Sequence, residues 1–333
     1  MKAYRLHAPG LAGLRCADET VPSPGAGEVL VRVAAASINA RDLGIVAGVY
    51  PNKAAVIPLS DGAGTVERVG AGVRGFAEGD AVVGCFYADW QAGPATAANH
   101  AQSLGCERDG VLAEYACLPA TGLVHKPALL DFAQAATLPC AALTAWSALF
   151  TEGGLQPGQH VLVQGTGGVA LFALQFARMA GAMVTVISGR DDKLHRARAL
   201  GAHHTINYRT TPEWSAQALE ITGGRGVDLV VELGGADTLA QSMRCVTVGG
   251  HISVIGVLSG LEAKIFVPDM LFRHIRLCGI TVGHREDFLA MNRAIDQHGI
   301  EPAIDTRFGF DEAALAYEAL PRGLHLGKLV IEV

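Results

Sequence analysis

The sequence predicts an α/β protein built as a β-rich unit joined to a doubly wound parallel sheet with helices on both faces. Three observations predict it. Short β-like runs alternate with Gly/Pro turns as far as residue 125, strand-like and helix-like segments alternate from about Asp131, and a glycine-rich turn opens that alternating series. The expected boundaries are therefore 1–125 for the β-rich unit, 126–300 for the alternating unit and 301–333 for a return to the first.

In the first part, Val29-Leu30-Val31-Arg32-Val33, Gly64-Thr65-Val66-Glu67-Arg68-Val69 and Ala81-Val82-Val83-Gly84 read as strands. Pro22-Ser23-Pro24-Gly25 and Gly70-Ala71-Gly72 read as turns between such strands. The stretch 88–109 is polar and small, and reads as a long surface excursion. Downstream, strands are expected at 160–164, 183–187, 204–207, 228–232, 251–255 and 277–282, with helices at 169–180, 193–200, 238–245 and 286–298. Short apolar runs separated by helix-period segments are the pattern of a parallel sheet buried on both faces. A last strand at 329–333 is expected to rejoin the first unit.

Composition narrows the function classes. Half the residues are apolar and 17% are charged, too apolar for a disordered chain. Net charge is −6 and no Lys/Arg run occurs, which argues against nucleic acid or an anionic membrane as partner. The seven cysteines are odd in number and contain no C-x-x-C pair, so neither a disulfide framework nor a structural zinc lobe is indicated. The N-terminal MKAYRLHAPG has no apolar core of signal-peptide length, and no apolar run reaches the ~20 residues that span a bilayer. A cytoplasmic location and a small-molecule substrate are expected.

The most informative motif is Gly165-Thr166-Gly167-Gly168-Val169-Ala170 between a strand and a helix. It satisfies the G-x-G-x-x-[G/A] dinucleotide fingerprint: a tight turn, a close approach for pyrophosphate, and a small residue where helix meets sheet. The following helix would direct its free N–H groups at the phosphates. The end of the second strand selects the dinucleotide. An NAD site would be expected to carry a carboxylate there, whereas this chain reads Ile187-Ser188-Gly189-Arg190-Asp191-Asp192-Lys193. Ser188, Arg190 and Lys193 suit a 2′-phosphate, so NADPH is expected over NADH, with Asp191 and Asp192 capping the next helix.

Beyond these motifs the sequence resembles the medium-chain dehydrogenase/reductase superfamily along nearly its whole length. The landmarks are Met1-Lys2-Ala3, Pro24-Gly25-Ala26-Gly27-Glu28-Val29, Asp61-Gly62-Ala63-Gly64-Thr65-Val66, the run from Ala135 to Trp146, the glycine turn, and Gly327-Lys328-Leu329-Val330. The resemblance implies a Rossmann domain set between two segments of a GroES-like catalytic domain. It also implies a homodimer formed by pairing Rossmann sheet edges, here through Leu277–Val282. In the zinc alcohol dehydrogenases of this superfamily a Cys, a His-Glu pair and a later Cys or Asp surround the metal. By position these fall on Asn39, Ser60, Asp61 and Cys140, so only two competent side chains remain and no catalytic zinc is expected. Cys140 is expected as a buried small residue beside the nicotinamide.

The segment Ser37-Ile38-Asn39-Ala40-Arg41-Asp42, with Gly48-Val49-Tyr50-Pro51, is similar to the zinc-free quinone oxidoreductases and 2-alkenal reductases. That resemblance places Asn39 and Tyr50 near nicotinamide and substrate, with Asp42 matching the same pattern. The alcohol dehydrogenase proton-relay hydroxyl falls on Arg41. Tyr208 matches a tyrosine beside the adenosine 2′-phosphate in NADP-using members. Thr144, Val257 and Val282 are candidates for the nicotinamide lining, and Tyr87 and Trp90 for substrate walls. The activity implied is NADPH-dependent hydride transfer to a quinone or an α,β-unsaturated carbonyl. An NAD(P)-dependent alcohol dehydrogenase and a non-catalytic NADPH sensor are the alternatives.

Overall fold

Strand His160–Gln164 is buried at every residue, because helices cover both faces of the sheet it belongs to. The computed structural model describes residues Met1–Val333 and divides into two units, Thr144–Val282 and Met1–Leu143 with Gly283–Val333.

In the Thr144–Val282 unit six parallel strands stand in the order His204–Asn207, Met183–Ser188, His160–Gln164, Val227–Glu232, Val246–Val254, Arg276–Gly279. Numbered along the chain the order is 3-2-1-4-5-6, and it reverses between His160–Gln164 and Val227–Glu232. Open sheets of this kind bind ligands outside the carboxyl ends of the strands at that reversal. Gln164 and Glu232 fasten the two strand ends there. Gln164 Nε2 donates to Glu232 Oε2 at 2.6 Å, while Gln164 Oε1 accepts from the Leu233 and Gly234 N–H groups at 3.0 Å each.

Two departures from the expected elements have local causes. Helix Trp214–Ile221, between the third and fourth strands, is not among the expected elements; it is only eight residues long and buries one face through Trp214 and Ala218 in the core. Strand Val246–Val254 begins well before residue 251. Gly249-Gly250 lies inside it and reads as a break in sequence, with Gly249 at φ +74°.

The other unit is organised on the eleven-residue strand Glu28–Ile38. It pairs with Asp61–Val69, with Tyr115–Pro119 and, antiparallel, with the returning strand Lys328–Glu332. The expected boundaries 126 and 300 are both displaced inward. Helix Arg285–His298 belongs with the β-rich unit, where Asn292 Nδ2 donates to the His125 carbonyl at 3.0 Å and Asp296 Oδ1 accepts from the Leu129 N–H at 3.2 Å. The strand–helix rhythm runs unbroken across Val282, so the sequence offers no signal of the crossing. Stretch 88–109 is also corrected. It has no helix or strand, but Trp90, Ser103, Leu104 and Cys106 are buried, and Leu104 and Cys106 join the core. No helix is long and apolar enough to cross a membrane.

Candidate active site

Asn39 stands at the N-cap of helix Ala40–Val46, directly after strand Glu28–Ile38. Its N–H donates to Asp42 Oδ2 at 2.7 Å, and its own carbonyl accepts from the Asp42 N–H at 3.0 Å. Asp42 is thus fully buried as the closing residue of the cap, with Arg41 3.9 Å from its other oxygen. Burial pushes the Asp42 carboxyl up to about 6, against the opposing effect of Arg41.

Around Asn39 gather the positions that the sequence comparison with zinc enzymes singled out, together with a lysine that it did not. Lys328 opens strand Lys328–Glu332 and is buried, donating from Nζ to the Ile38 carbonyl at 2.7 Å and to Asn39 Oδ1 at 2.5 Å. Asp61 is fully buried as well. Its carboxylate accepts from Ser60 Oγ at 2.6 Å and from the Cys140 N–H at 3.0 Å. Burial raises the Asp61 pKa and the nearby Lys328 ammonium opposes the rise, while burial lowers the Lys328 pKa against the pull of Asp61. The Cys140 thiol is held well above its ordinary value, by burial first and by the Asp61 charge second. No group of three His, Cys, Asp or Glu side chains converges as a metal ion would require. Lys328 stands in the Gly327-Lys328-Leu329-Val330 landmark and heads an apolar terminal strand, but neither signal assigns it to the site.

Tyr50 lies against the same helix, its ring so close to Gly44 that a Cβ there would approach within 2.4 Å, and it is 47% exposed. Tyr87 and Trp90 come together in an aromatic group. Tyr87 stacks on His100 with centroids 4.5 Å apart, and Trp90 meets His100 and His284 edge-on at 4.5 and 5.7 Å. His100 and His284 had no motif to mark them. Arg41 ties this group to the Asn39 helix. Its guanidinium sits 4.4 Å over the Phe86 ring and donates to the Leu104 carbonyl and to Ser103 Oγ.

The glycine turn follows strand His160–Gln164 at its carboxyl end. Gly165 takes φ +79°, which favours glycine, and a Cβ at Gly165 or Gly167 would meet nothing within 4 Å. Thr166 and Ala170 are buried, while Gly168 and Val169 start helix Gly168–Met179, whose N-terminus has no side-chain cap. Open backbone before an uncapped helix fits a dinucleotide pyrophosphate. At the second strand's end, Ser188 is buried and Tyr208 packs on Gly189. Arg190 is exposed and pairs with both oxygens of Asp192, at 3.0 and 2.8 Å. The expected capping by the aspartates is corrected. Arg190 itself holds the cap position and Asp191 and Asp192 form the first turn, Asp191 accepting from Asn207 Nδ2 at 2.7 Å. Lys193 is buried in that turn. Thr144 is buried and Val257 exposed, while Val282 is buried at φ +70°, a conformation rare for a β-branched residue.

Comparisons with known proteins agree with this architecture. A family model described as an alcohol dehydrogenase GroES-like domain matches residues 25–128, and one described as a zinc-binding dehydrogenase matches residues 168–297. A zinc-type alcohol dehydrogenase-like protein of Schizosaccharomyces pombe is 46% identical over 316 residues, covering 92% of this chain and 91% of the relative. A chloroplastic quinone oxidoreductase of Triphysaria versicolor is 30% identical over 342 residues, covering 99% of this chain and 97% of the relative. A crystal structure from Sinorhizobium meliloti 1021, provisionally described as an alcohol dehydrogenase, superposes with a TM-score of 0.95 at 42% identity, covering 100% of this chain and 98% of that one. With the reversed-order parallel sheet, the glycine turn and these relatives in agreement, the chain belongs to the medium-chain dehydrogenase/reductase superfamily and is an NAD(P)H-dependent oxidoreductase.

Proposed function

We propose that the protein reduces quinones or α,β-unsaturated carbonyl compounds with NADPH and without zinc. The observation that carries this reading is the cluster around Asn39. An amide, a serine hydroxyl and a lysine ammonium stand among Asp61 and Cys140, where an alcohol dehydrogenase would need three metal ligands. A buried cation near Asp61 also opposes a divalent ion electrostatically.

The chain's own residues then have defined tasks. A bound nicotinamide supplies the hydride. The protein has to hold the acceptor in register and exclude water, and to offer donors to the oxygen on which negative charge develops. Asn39 supplies an amide N–H and Tyr50 a hydroxyl, while Tyr87 and Trp90 offer flat apolar surface suited to a conjugated acceptor. Ser188, Arg190, Lys193 and Tyr208 favour a 2′-phosphate, since no carboxylate ends the second strand. Hydride delivery to a conjugated acceptor gives a delocalised anion, so no metal is needed to acidify a hydroxyl. The second reading is alcohol oxidation, favoured by the names of several relatives. An acceptor panel separates the two: NADPH with enones and quinones, against NADP⁺ with primary and secondary alcohols. Faster turnover on an alcohol than on every acceptor would overturn the reductase reading.

We also propose a homodimer through the outer edge of the parallel sheet. Arg276–Gly279 has a strand on one side only, and the nearby Leu261, Phe266, Val267, Leu271 and Phe272 are exposed, an apolar face of the kind that copies of a chain bury together.

A further inference from the structure

An asparagine at a helix N-cap ordinarily spends its side-chain oxygen on an N–H of the first turn. Asn39 does not. Its helix is closed by the Asp42 carboxylate and by the Asn39 backbone carbonyl, which releases the carboxamide from capping. The released Oδ1 accepts from Lys328 Nζ at 2.5 Å, while Nδ2 is buried with no hydrogen-bond partner. Asp61 lies close enough for the Asn39 amide to favour its charged form, but no hydrogen bond from Nδ2 to its carboxylate is completed.

A lysine ammonium has three donors and no acceptor, so only the oxygen of an amide can face it. Turning the Asn39 amide over would set N–H against N–H at 2.5 Å. The lysine is in turn fixed by its bond to the Ile38 carbonyl at 2.7 Å and by a strand register that sets Leu329 opposite Ile38. A buried amide N–H without a partner costs free energy and is retained where something else will use it.

We propose that Lys328 is a positioning residue: its buried ammonium locks the Asn39 carboxamide with Oδ1 turned towards the lysine, leaving Nδ2 as the hydrogen-bond donor to the carbonyl or quinone oxygen of the acceptor. This rests on the assignment of Asn39 to the acceptor site. Lys328 touches neither acceptor nor cofactor in this scheme and acts only through the amide it orients.

The test is a double-mutant cycle of Asn39→Ala, Lys328→Met and the double variant, read on kcat for the acceptor that wild type turns over fastest, with NADPH affinity measured by fluorescence titration. Each single change should lower kcat about tenfold or more with NADPH affinity within about twofold of wild type. The double variant should fall within about threefold of Asn39→Ala alone, because the lysine has nothing left to orient. Losses that multiply to about a hundredfold, or a Lys328→Met kcat equal to wild type, would overturn the proposal. An unchanged Asn39→Ala kcat would overturn it too while the reaction class stands. If only alcohols are turned over, the reductase reading fails instead, and the cycle is read on alcohol oxidation by the same criterion. Should Lys328→Met not fold, a crystal structure of wild type with 2-cyclohexenone decides: the ketone oxygen within hydrogen-bond distance of Asn39 Nδ2 supports the proposal, and the ketone oxygen on Lys328 Nζ contradicts it.

Discussion

Replacing Asp42 by Asn should stabilise the protein at neutral pH, an unusual expectation for a buried residue that closes a helix cap. The ordinary carboxyl value of 3.8 is raised to about 6 in the fold, chiefly by burial. Between those two values the native state keeps a proton that the unfolded chain has lost, so stability falls as pH rises through that window. At about 1.36 kcal/mol per pH unit, ionised Asp42 costs about 3 kcal/mol above pH 6 compared with below pH 3.8. That cost is already net of the Asn39 N–H bond and of Arg41, 3.9 Å from Asp42 Oδ1, both of which favour the anion. An asparagine at 42 can still accept the Asn39 N–H as a neutral group, so the gain should be about 2–3 kcal/mol at pH 7.5 and mostly lost by pH 4, where native Asp42 is protonated and about half of the unfolded carboxyl is. Urea unfolding followed by far-UV circular dichroism at both pH values measures it. An Asp42→Asn protein less stable than wild type at pH 7.5, or an advantage that persists undiminished at pH 4, would show that the burial argument fails.

Two further expectations concern the cofactor and the assembly. Arg190→Ala should weaken NADPH binding about tenfold and leave NADH unchanged, while Asp192→Asn, which frees Arg190 from its 2.8–3.0 Å pair, should tighten NADPH by about two- to threefold; equal losses for both cofactors on Arg190→Ala would remove it from the 2′-phosphate site. In light scattering the wild type should be a dimer and Leu271→Asp, on the exposed apolar face, a monomer; a monomeric wild type would contradict the proposed edge-to-edge assembly.

The parallel sheet was legible because its strands are short apolar runs, and His160–Gln164 and His204–Asn207 match their expected limits. The glycine turn was legible because φ +79° and an open approach demand glycine. Helix Arg285–His298 was read as an element but placed in the wrong unit, since what assigns it is the bond from Asn292 to the His125 carbonyl, a contact 167 residues apart. Asn39 is legible through resemblance, and Lys328 lies in the Gly327-Lys328-Leu329-Val330 landmark, but nothing in that motif tells that its ammonium meets an amide 289 positions away. The same is true of Glu232, whose role appears only when Gln164 is brought to it. Local geometry can be read from local sequence, whereas partnerships across the fold cannot.

The central claim is hydride transfer to a conjugated acceptor with the Asn39–Lys328 pair standing where a metal would be. Its most direct test is the rate of NADPH-dependent reduction of 2-cyclohexenone and a benzoquinone after exhaustive dialysis against a chelator. The account predicts the undialysed rate within about twofold, with no gain on adding zinc, because an oriented amide donor needs no ion. Activity that vanishes with chelation and returns with zinc would contradict it.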